Sequence, residues 1–404
     1  MEYKGIEYLR RKMSQKATRV KLRYNFYEMK NYVKDFEIST PPKLRGWKNA
    51  LGWCAKSVDS MADRLIFREF QEDNFDLNEI YRANNADILF DSAILSTLIA
   101  SCCFIYISAD VDGYPRLQVI DGSRATGEID PITNLLNEGY AILEVDSDGT
   151  PKLEAYFVAG RTDYYRKGEK NVESYYNNAP CPLLVPIINR PDAIRPFGHS
   201  RISRACMDIV CSAIRTIKRS EISAEFYSFP QKWVVGTSQD AEPLEKWSAT
   251  MSSMLQYSKD EDGDSPTIGQ FSQQSMNPHM EQLKMFAALF AGETGLTLDD
   301  LGFVTENPSS AESIKASHEN LRLMAKKAQR TFGSCFLNAG YVAACLRDDY
   351  PFERRLLYNT KPKWEPVFEA DAAALSSYGD GAIKINQAIP NYMTGDKLRD
   401  LTGL

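Results

Sequence analysis

From Ser310 to Arg347 the chain contains no proline, and the segment opens with Ser310-Ala-Glu-Ser313, which supplies a hydroxyl cap and an early acid. At about 1.5 Å per residue, a helix over this run reaches roughly 55 Å. That is long for a globular helix, and Gly333 and Gly340 are the two places where it can kink. A single element of this length sets the architecture of the C-terminal half.

Upstream, Gly198-His199-Ser200 precedes a helical run from Arg201 to Tyr227, which Pro230 ends. Ile202, Ala205/Cys206, Ile209, Ala213 and Ile217 recur on one face of it. Residues 231–275 form an insert of different character. Lys232-Trp233-Val234-Val235-Gly236 reads as a strand, 241–257 as a short helix and 266–273 as another strand. Over 228–275 there are 3 Lys and 7 Asp/Glu. A second helix starts after Pro278 and runs to about Phe290, followed by a loop over Gly295–Ser310.

The N-terminal half opens with an amphipathic helix over 3–36, stopped by Pro41-Pro42. Further helices follow over 46–61 and 76–102. From about 103 to 190 the pattern changes to strands. Asp110-Val-Asp112-Gly113 and Asp146-Ser-Asp148-Gly149 each stand between alternating apolar runs, a hairpin signal because glycine accepts the positive φ of a tight turn. A calcium loop fits poorly, since the ligand series breaks after the glycine and no glutamate closes it. Residues 92–109 carry no charge. Their aromatic and β-branched second half suits a buried helix running into a strand better than a membrane span. After Pro351 a strand-like piece covers Arg355–Tyr358, and 368–404 is a helical block.

The 404 residues, 43% hydrophobic and 25% charged, suffice for two or three folded domains. The net charge of −6 is uneven: residues 1–50 sum to +8 and the rest to −14. An acidic body argues against tight sequence-independent DNA binding, which needs many cations on phosphates. DNA held weakly, or repelled, remains compatible. The basic head either meets an acidic partner or is a solvated helix face. The eight cysteines lack metal-ligand spacing and read as buried free thiols in a reducing cytosol, and no signal peptide is visible.

Chemistry is sparse. There is no GxxxxGK[ST] loop, no Gly-x-Ser-x-Gly and no helical histidine pair among His199, His279 and His318. No cofactor and no metal are expected. Asp260-Glu261-Asp262-Asp264 or Asp299-Asp300 offer carboxylates for a metal-dependent nuclease, but consecutive acids in a glycine-rich turn point apart and are usually solvated.

The layout from 198 onward resembles the portal (head–tail connector) proteins of tailed double-stranded-DNA bacteriophages. The likeness rests on Gly198-His-Ser-Arg-Ile-Ser203 before a helix and on Phe229-Pro230-Gln-Lys-Trp-Val-Val-Gly236 before a small insert. It rests also on Phe290-Ala-Gly-Glu-Thr-Gly-Leu-Thr-Leu298, then Leu301-Gly302 and Asn307-Pro-Ser-Ser-Ala-Glu-Ser313, and on Trp364-Glu-Pro-Val-Phe368 followed by Asp371-Ala. It covers 198–404, with 1–197 only as a plausible wing.

The resemblance implies an α+β, predominantly helical portal fold assembled as a ring, and not an enzyme. Its parts are a wing over 1–199, a stem helix over 200–227, a clip over 228–275, a second stem helix over 276–296, a tunnel loop over 297–310, a long wing helix and strand over 311–365, and a short crown over 366–404. The ring, usually a dodecamer, stands at the unique capsid vertex, where DNA passes without being tightly bound. It implies as partners the terminase large subunit, head-completion or adaptor proteins, and major capsid and scaffolding proteins, with no membrane. It implies assembly in the host cytoplasm. Asp299, Asp300, Glu306 and Asn307 then belong to the tunnel loop. Arg204, Arg215, Lys218, Arg219 and Lys284 face the channel or a neighbouring subunit. Lys232, Trp233, Asp240, Glu242 and Glu245 meet partners at the clip. The alternatives are the nuclease above and another head-assembly protein, a minor capsid or adaptor protein.

Overall fold

A computed structural model describes residues 3–34, 46–169, 171–228, 232–235, 265, 267–270, 275–303, 316–368 and 372–402. The chain divides into two compact units, one formed by 1–31, 52–207 and 291–404, the other by 32–51 and 208–290. Helix and sheet are mixed throughout, as the sequence leads one to expect.

The first unit is built on antiparallel sheet. Helix α1 (Ile6–Tyr27) buries Leu9, Met13 and Val20, spaced to share one face. Leu9 and Met13 pack on Tyr140, Ile142, Tyr156 and Val158 of a five-stranded sheet. That sheet has the order β4 (Ala125–Ile129), β5 (Leu136–Val145), β6 (Pro151–Val158), β7 (Arg161–Arg166), β8 (Glu173–Tyr176).

Glu138 of β5 is buried, and its carboxylate accepts the Lys4 and Gly5 N–H groups at 3.0 and 3.1 Å and the Tyr156 hydroxyl at 2.8 Å. A side chain more than a hundred residues away thus supplies the anion that a helix N-terminus favours. The basic head is spent in the same way. Lys4 and Lys12 pair with Glu128, and Arg10 pairs with Glu154. For these three cations the acidic partner is the chain's own sheet.

The second sheet has the order β3 (Pro115–Asp121), β2 (Cys102–Ala109), β9 (Leu184–Ile188). β2 is central and almost wholly buried, which explains the uncharged run: α4 (Ala86–Ala100) ends at Ser101 with φ 91° and the strand begins at once. Among the described residues, no helix is long and apolar enough to cross a membrane. Both Asp-x-Asp-Gly segments are hairpin turns, with Gly113 at φ 82° and Gly149 at φ 74°. Asp110 accepts the backbone N–H groups of Asp112 and Tyr114. All eight cysteines are free and all but Cys211 are buried, which pushes the Cys335 thiol up to about 11 and leaves it protonated.

Several boundaries differ from expectation. The first helix is shorter than 3–36, ending where Met29 turns to φ 58°. The second is α2 (Trp53–Ala62). The run over 76–102 is two helices, α3 (Leu77–Ala83) and α4, broken at Asn84-Asn85. Here Asn85 has φ 53°, and the Asn84 side chain bonds Pro115 O and Leu117 N. Arg355–Tyr358 is not a strand: Arg354–Leu357 is a 3-10 turn. The strand is β12 (Lys361–Trp364), antiparallel to β1 (Phe67–Gln71). Pro362 sits within it, opposite Phe70, and a two-stranded ribbon tolerates a proline because every strand is an edge.

The long helix, α7, is described over Glu319–Arg347, and its expected opening at Ser310 lies outside the described residues. Its glycines serve close packing and the helix runs on through both. A Cβ on Gly333 would lie 2.5 Å from Pro362, and one on Gly340 would crowd Leu77 and Tyr81. Phe332 and Phe336 join Phe67, Phe90 and Trp364 in an aromatic core, and the Tyr81 hydroxyl donates to Phe336 O at 2.6 Å. The C-terminal block holds α8 (Ala372–Ala388) and α9 (Gly395–Thr402).

Replacing Glu138 by alanine leaves two amides and a hydroxyl without their shared acceptor. Urea unfolding is expected to show a loss of about 2 kcal/mol. A wild-type midpoint would mean that the carboxylate does not hold α1 to the sheet.

Candidate functional site

The first candidate site is the loop that launches α5 (Arg204–Ser228). Gly198 has φ 70°, and a Cβ there would sit 2.1 Å from Asn189 O, so the position demands glycine. His199 N donates to Asn189 O, and Asn189 Nδ2 donates to His199 O, both at 2.8 Å. The His199 ring meets the Asp192 carboxylate at 2.6 Å, which holds Asp192 below its usual range. Ser200 Oγ donates to Ile99 O at 2.6 Å and accepts Ile202 N at 2.9 Å.

Arg201 is the centre of this junction. Its Nε donates to Ser57 O in α2, and its Nη2 donates to Thr294 O at 2.8 Å, the last residue of α6 (Asn277–Thr294). Its backbone N–H donates to Leu98 O of α4. Burial pushes the guanidinium down to about 10, with the positive charges of Arg190 and Arg64 adding to the shift; it stays charged at neutral pH. Ser203 Oγ donates to Glu293 Oε1 at 2.9 Å, a second tie to the end of α6. The start of α5 is therefore bonded to two earlier helices and to the last turn of α6.

In the second unit α5 and α6 lie side by side. Thr216 Oγ1 bonds Gln282 Oε1 at 3.1 Å, and Ser223 Oγ meets His279 Nε2 at 3.5 Å, so the two run antiparallel. Val210, Ala213, Ile214, Ala287 and Phe290 are buried. The expected apolar stripe holds at Ile202, Cys206 and Ala213, which are buried, and shifts at its other positions. Val210 and Ile214 take the buried places, Ile209 and Ile217 are only half-buried, and Ala205 is exposed. Between the two helices in sequence, β10 (Lys232–Val235) pairs with β11 (Thr267–Gln270). Trp233 lies against Gly269, where a Cβ would be 2.2 Å from the indole ring.

The expected site residues distribute as follows. Arg204 and Lys284 are exposed, while Arg215, Lys218 and Arg219 are half-buried along α5, with Arg215 bonded to Ser212 Oγ. Lys232 and Trp233 sit on β10, and Trp233 is exposed. Asp240, Glu242, Glu245, Glu306, Asn307 and the acid run 260–264 lie outside the described residues.

Asp299 and Asp300, adjacent in a 3-10 turn, part company. Asp299 is exposed. Asp300 Oδ2 accepts the Thr297 N–H and hydroxyl, each at 2.9 Å, and meets His318 Nε2 at 3.1 Å. Burial alone would raise the Asp300 carboxyl, but these donors hold it below its usual range. It braces the loop to the start of α7. Among the described residues no group of His, Cys, Asp or Glu could hold a metal ion. The sequence reading did not single out Arg201; its signal was an arginine set in a Gly-His-Ser turn just before a helix.

No family model matches the sequence. The chain is similar to the portal protein of Mycobacterium phage L5, 23% identical over 386 residues, covering 88% of this chain and 78% of that protein. It is similar to the portal protein of Mycobacterium phage D29 at 22% over 384 residues, with the same coverage. Among solved structures it aligns with a chain of the virion of a native gene transfer agent particle at 14% identity and TM-score 0.47, covering 87% of this chain and 89% of that one. It aligns with a chain of the neck of a native gene transfer agent particle computed with C12 symmetry at 15% identity and TM-score 0.44, with the same coverage. The resemblance to portal proteins read from 198–404 thus extends over most of the chain.

Arg201→Lys keeps the charge but loses the planar fork that reaches two carbonyls. A loss of about 3 kcal/mol in urea unfolding is expected. Unchanged stability would show that Ser57 O and Thr294 O do not depend on the guanidinium.

Proposed function

We propose that this chain is a phage portal protein, the subunit of a ring at one capsid vertex through which the genome is packaged and ejected. The observation that carries the reading is the sequence likeness to two portal proteins over 88% of the chain. The role is structural, and the chain is not an enzyme. The nuclease alternative lacks support: Asp300, one of its candidate ligands, is already held by Thr297 and His318.

On this reading 200–227 and 276–296, which contain α5 and α6, form the stem, and 228–275, which contains β10 and β11, forms the clip. The residues from Thr297 to Ser310 form the tunnel loop, 311–365 the long wing helix and strand, and 366–404 the crown. The ring is a dodecamer. An antiparallel helix pair flanking a small insert is the kind of unit that can project from a ring and line a hole. Exposed Asp299, with Glu306 in the same loop, turns negative charge toward DNA in transit, and an acidic wall lets a polyanion slide where a basic one would hold it. Arg204, Arg215, Lys218, Arg219 and Lys284 divide between the channel and neighbouring subunits. Lys232, Trp233, Asp240, Glu242 and Glu245 belong to the surface that receives the terminase large subunit and later the head-completion and adaptor proteins. Major capsid and scaffolding proteins are met during assembly in the host cytoplasm.

Two experiments test this. Gold-labelled antibody against the chain should mark a single vertex of each virion; label spread over the capsid, or absent from it, would contradict the reading. Deleting 228–275 should leave rings that assemble but package no DNA, and normal packaging would refute the clip assignment.

A further inference from the structure

The first unit carries two clusters of opposite charge that it does not neutralise itself. One lies along α7. Phe332 and Phe336 turn one face of this helix into the aromatic core, so Lys327, Arg330, Thr331, Ser334 and Asn338 lie on the opposite side. Two adjoining cavities of about 140 and 600 Å³ open there and share Lys327 and Thr331. Their walls contain Arg190, Arg201, Lys327, Arg330 and Arg354 and no carboxylate. Their remaining lining is largely apolar and includes Ile132, Ile188, Met324 and Ala328. Among the described residues Arg190, Lys327 and Arg330 have no acidic partner, in a chain whose residues beyond 50 sum to −14.

The other cluster is at the start of α4. Phe90 is the side chain this turn sends to α7, its ring 4.7 Å from that of Phe336. Asp87, Ile88 and Asp91 are left exposed, beside Asp63 at the end of α2. Ile88 is 73% exposed and Ile66 is 50% exposed. Burial and the charges of Asp87 and Asp63 raise the Asp91 carboxyl, so these acids strain against one another. Among the described residues none of the three has a basic partner.

We propose that in the ring the acidic turn of one copy, Asp87, Ile88 and Asp91 with Asp63, docks in the cationic groove of the next copy. A head-to-tail ring needs two different surfaces on each subunit that fit each other. Here they differ in sign, and each has an apolar component. The acids meet Lys327, Arg330 and Arg354, and Ile88 meets the apolar floor. A nucleic-acid backbone would match the cations but leaves the apolar floor and the exposed acidic turn unexplained. The inference rests on the ring reading and adds the contact that closes the ring.

The test is charge exchange in the full chain, with ring formation read by mass photometry. The wild type should form closed rings. Lys327→Glu with Arg330→Glu, and separately Asp87→Lys with Asp91→Lys, should each lower the ring fraction by about tenfold or more. Mixing the two double variants should restore rings of alternating composition, and the quadruple variant should close on its own. Normal rings from either double variant would overturn the proposal while leaving the ring reading intact. So would failure of both the mixture and the quadruple variant, or loss of duplex-DNA binding by the groove variant without loss of rings. A wild type that never closes would instead bring down the ring reading itself.

Discussion

The guanidinium of Arg201 is the tie on which the helical half depends. The last carbonyls of an α-helix have no partner within the helix and carry the negative end of its dipole. Arg201 meets such a carbonyl at Thr294 and another backbone carbonyl at Ser57. One planar cation thereby fixes where α5 begins relative to where α6 ends. Burying it is costly, as its lowered pKa records, and the cost is offset by the charged hydrogen bonds from Nε and Nη2, while Nη1 lies near Met324 Sδ. Gly198, His199 and Ser200 hold the backbone so that this one side chain can reach both acceptors.

The sheet-bearing N-terminal region uses the same economy of charge. Its basic helix docks through Glu128, Glu138 and Glu154, which rise from the face that also buries Leu9 and Met13. Net charge along the sequence therefore misdirects: the +8 of the first fifty residues is partly consumed inside the fold, while among the described residues Lys327 and Arg330 of α7 have no acidic partner, in a segment the overall balance marks as acidic.

Much of the architecture was legible because it follows local chemistry. Gly113 and Gly149 declared their hairpins through positive φ, and the change from helix to strand near Ser101 followed from side-chain type. The missed features depend on distant partners. The strand at Lys361–Trp364 exists because Phe67–Gln71 lies beside it, and Pro362 disguised it. On α5 the expected stripe holds at Cys206 and Ala213, but Val210 and Ile214 take the buried places of Ile209 and Ile217, because what packs on the helix chooses them. Asp299 and Asp300 look alike in sequence, and only the fold separates the exposed acid from the one bonded to Thr297 and His318. Arg201 could not be told from the arginines of the helix it precedes, since its acceptors are main-chain oxygens far along the chain.

The proposal that copies of this chain close around a hole rests on the sequence likeness to two portal proteins, with the antiparallel helix pair beside it. A symmetry-resolved electron-microscopy image of the purified full-length protein tests it most directly. The account predicts a closed ring of identical subunits with an open central channel; a protein seen only as monomers or dimers across salt and concentration would contradict it.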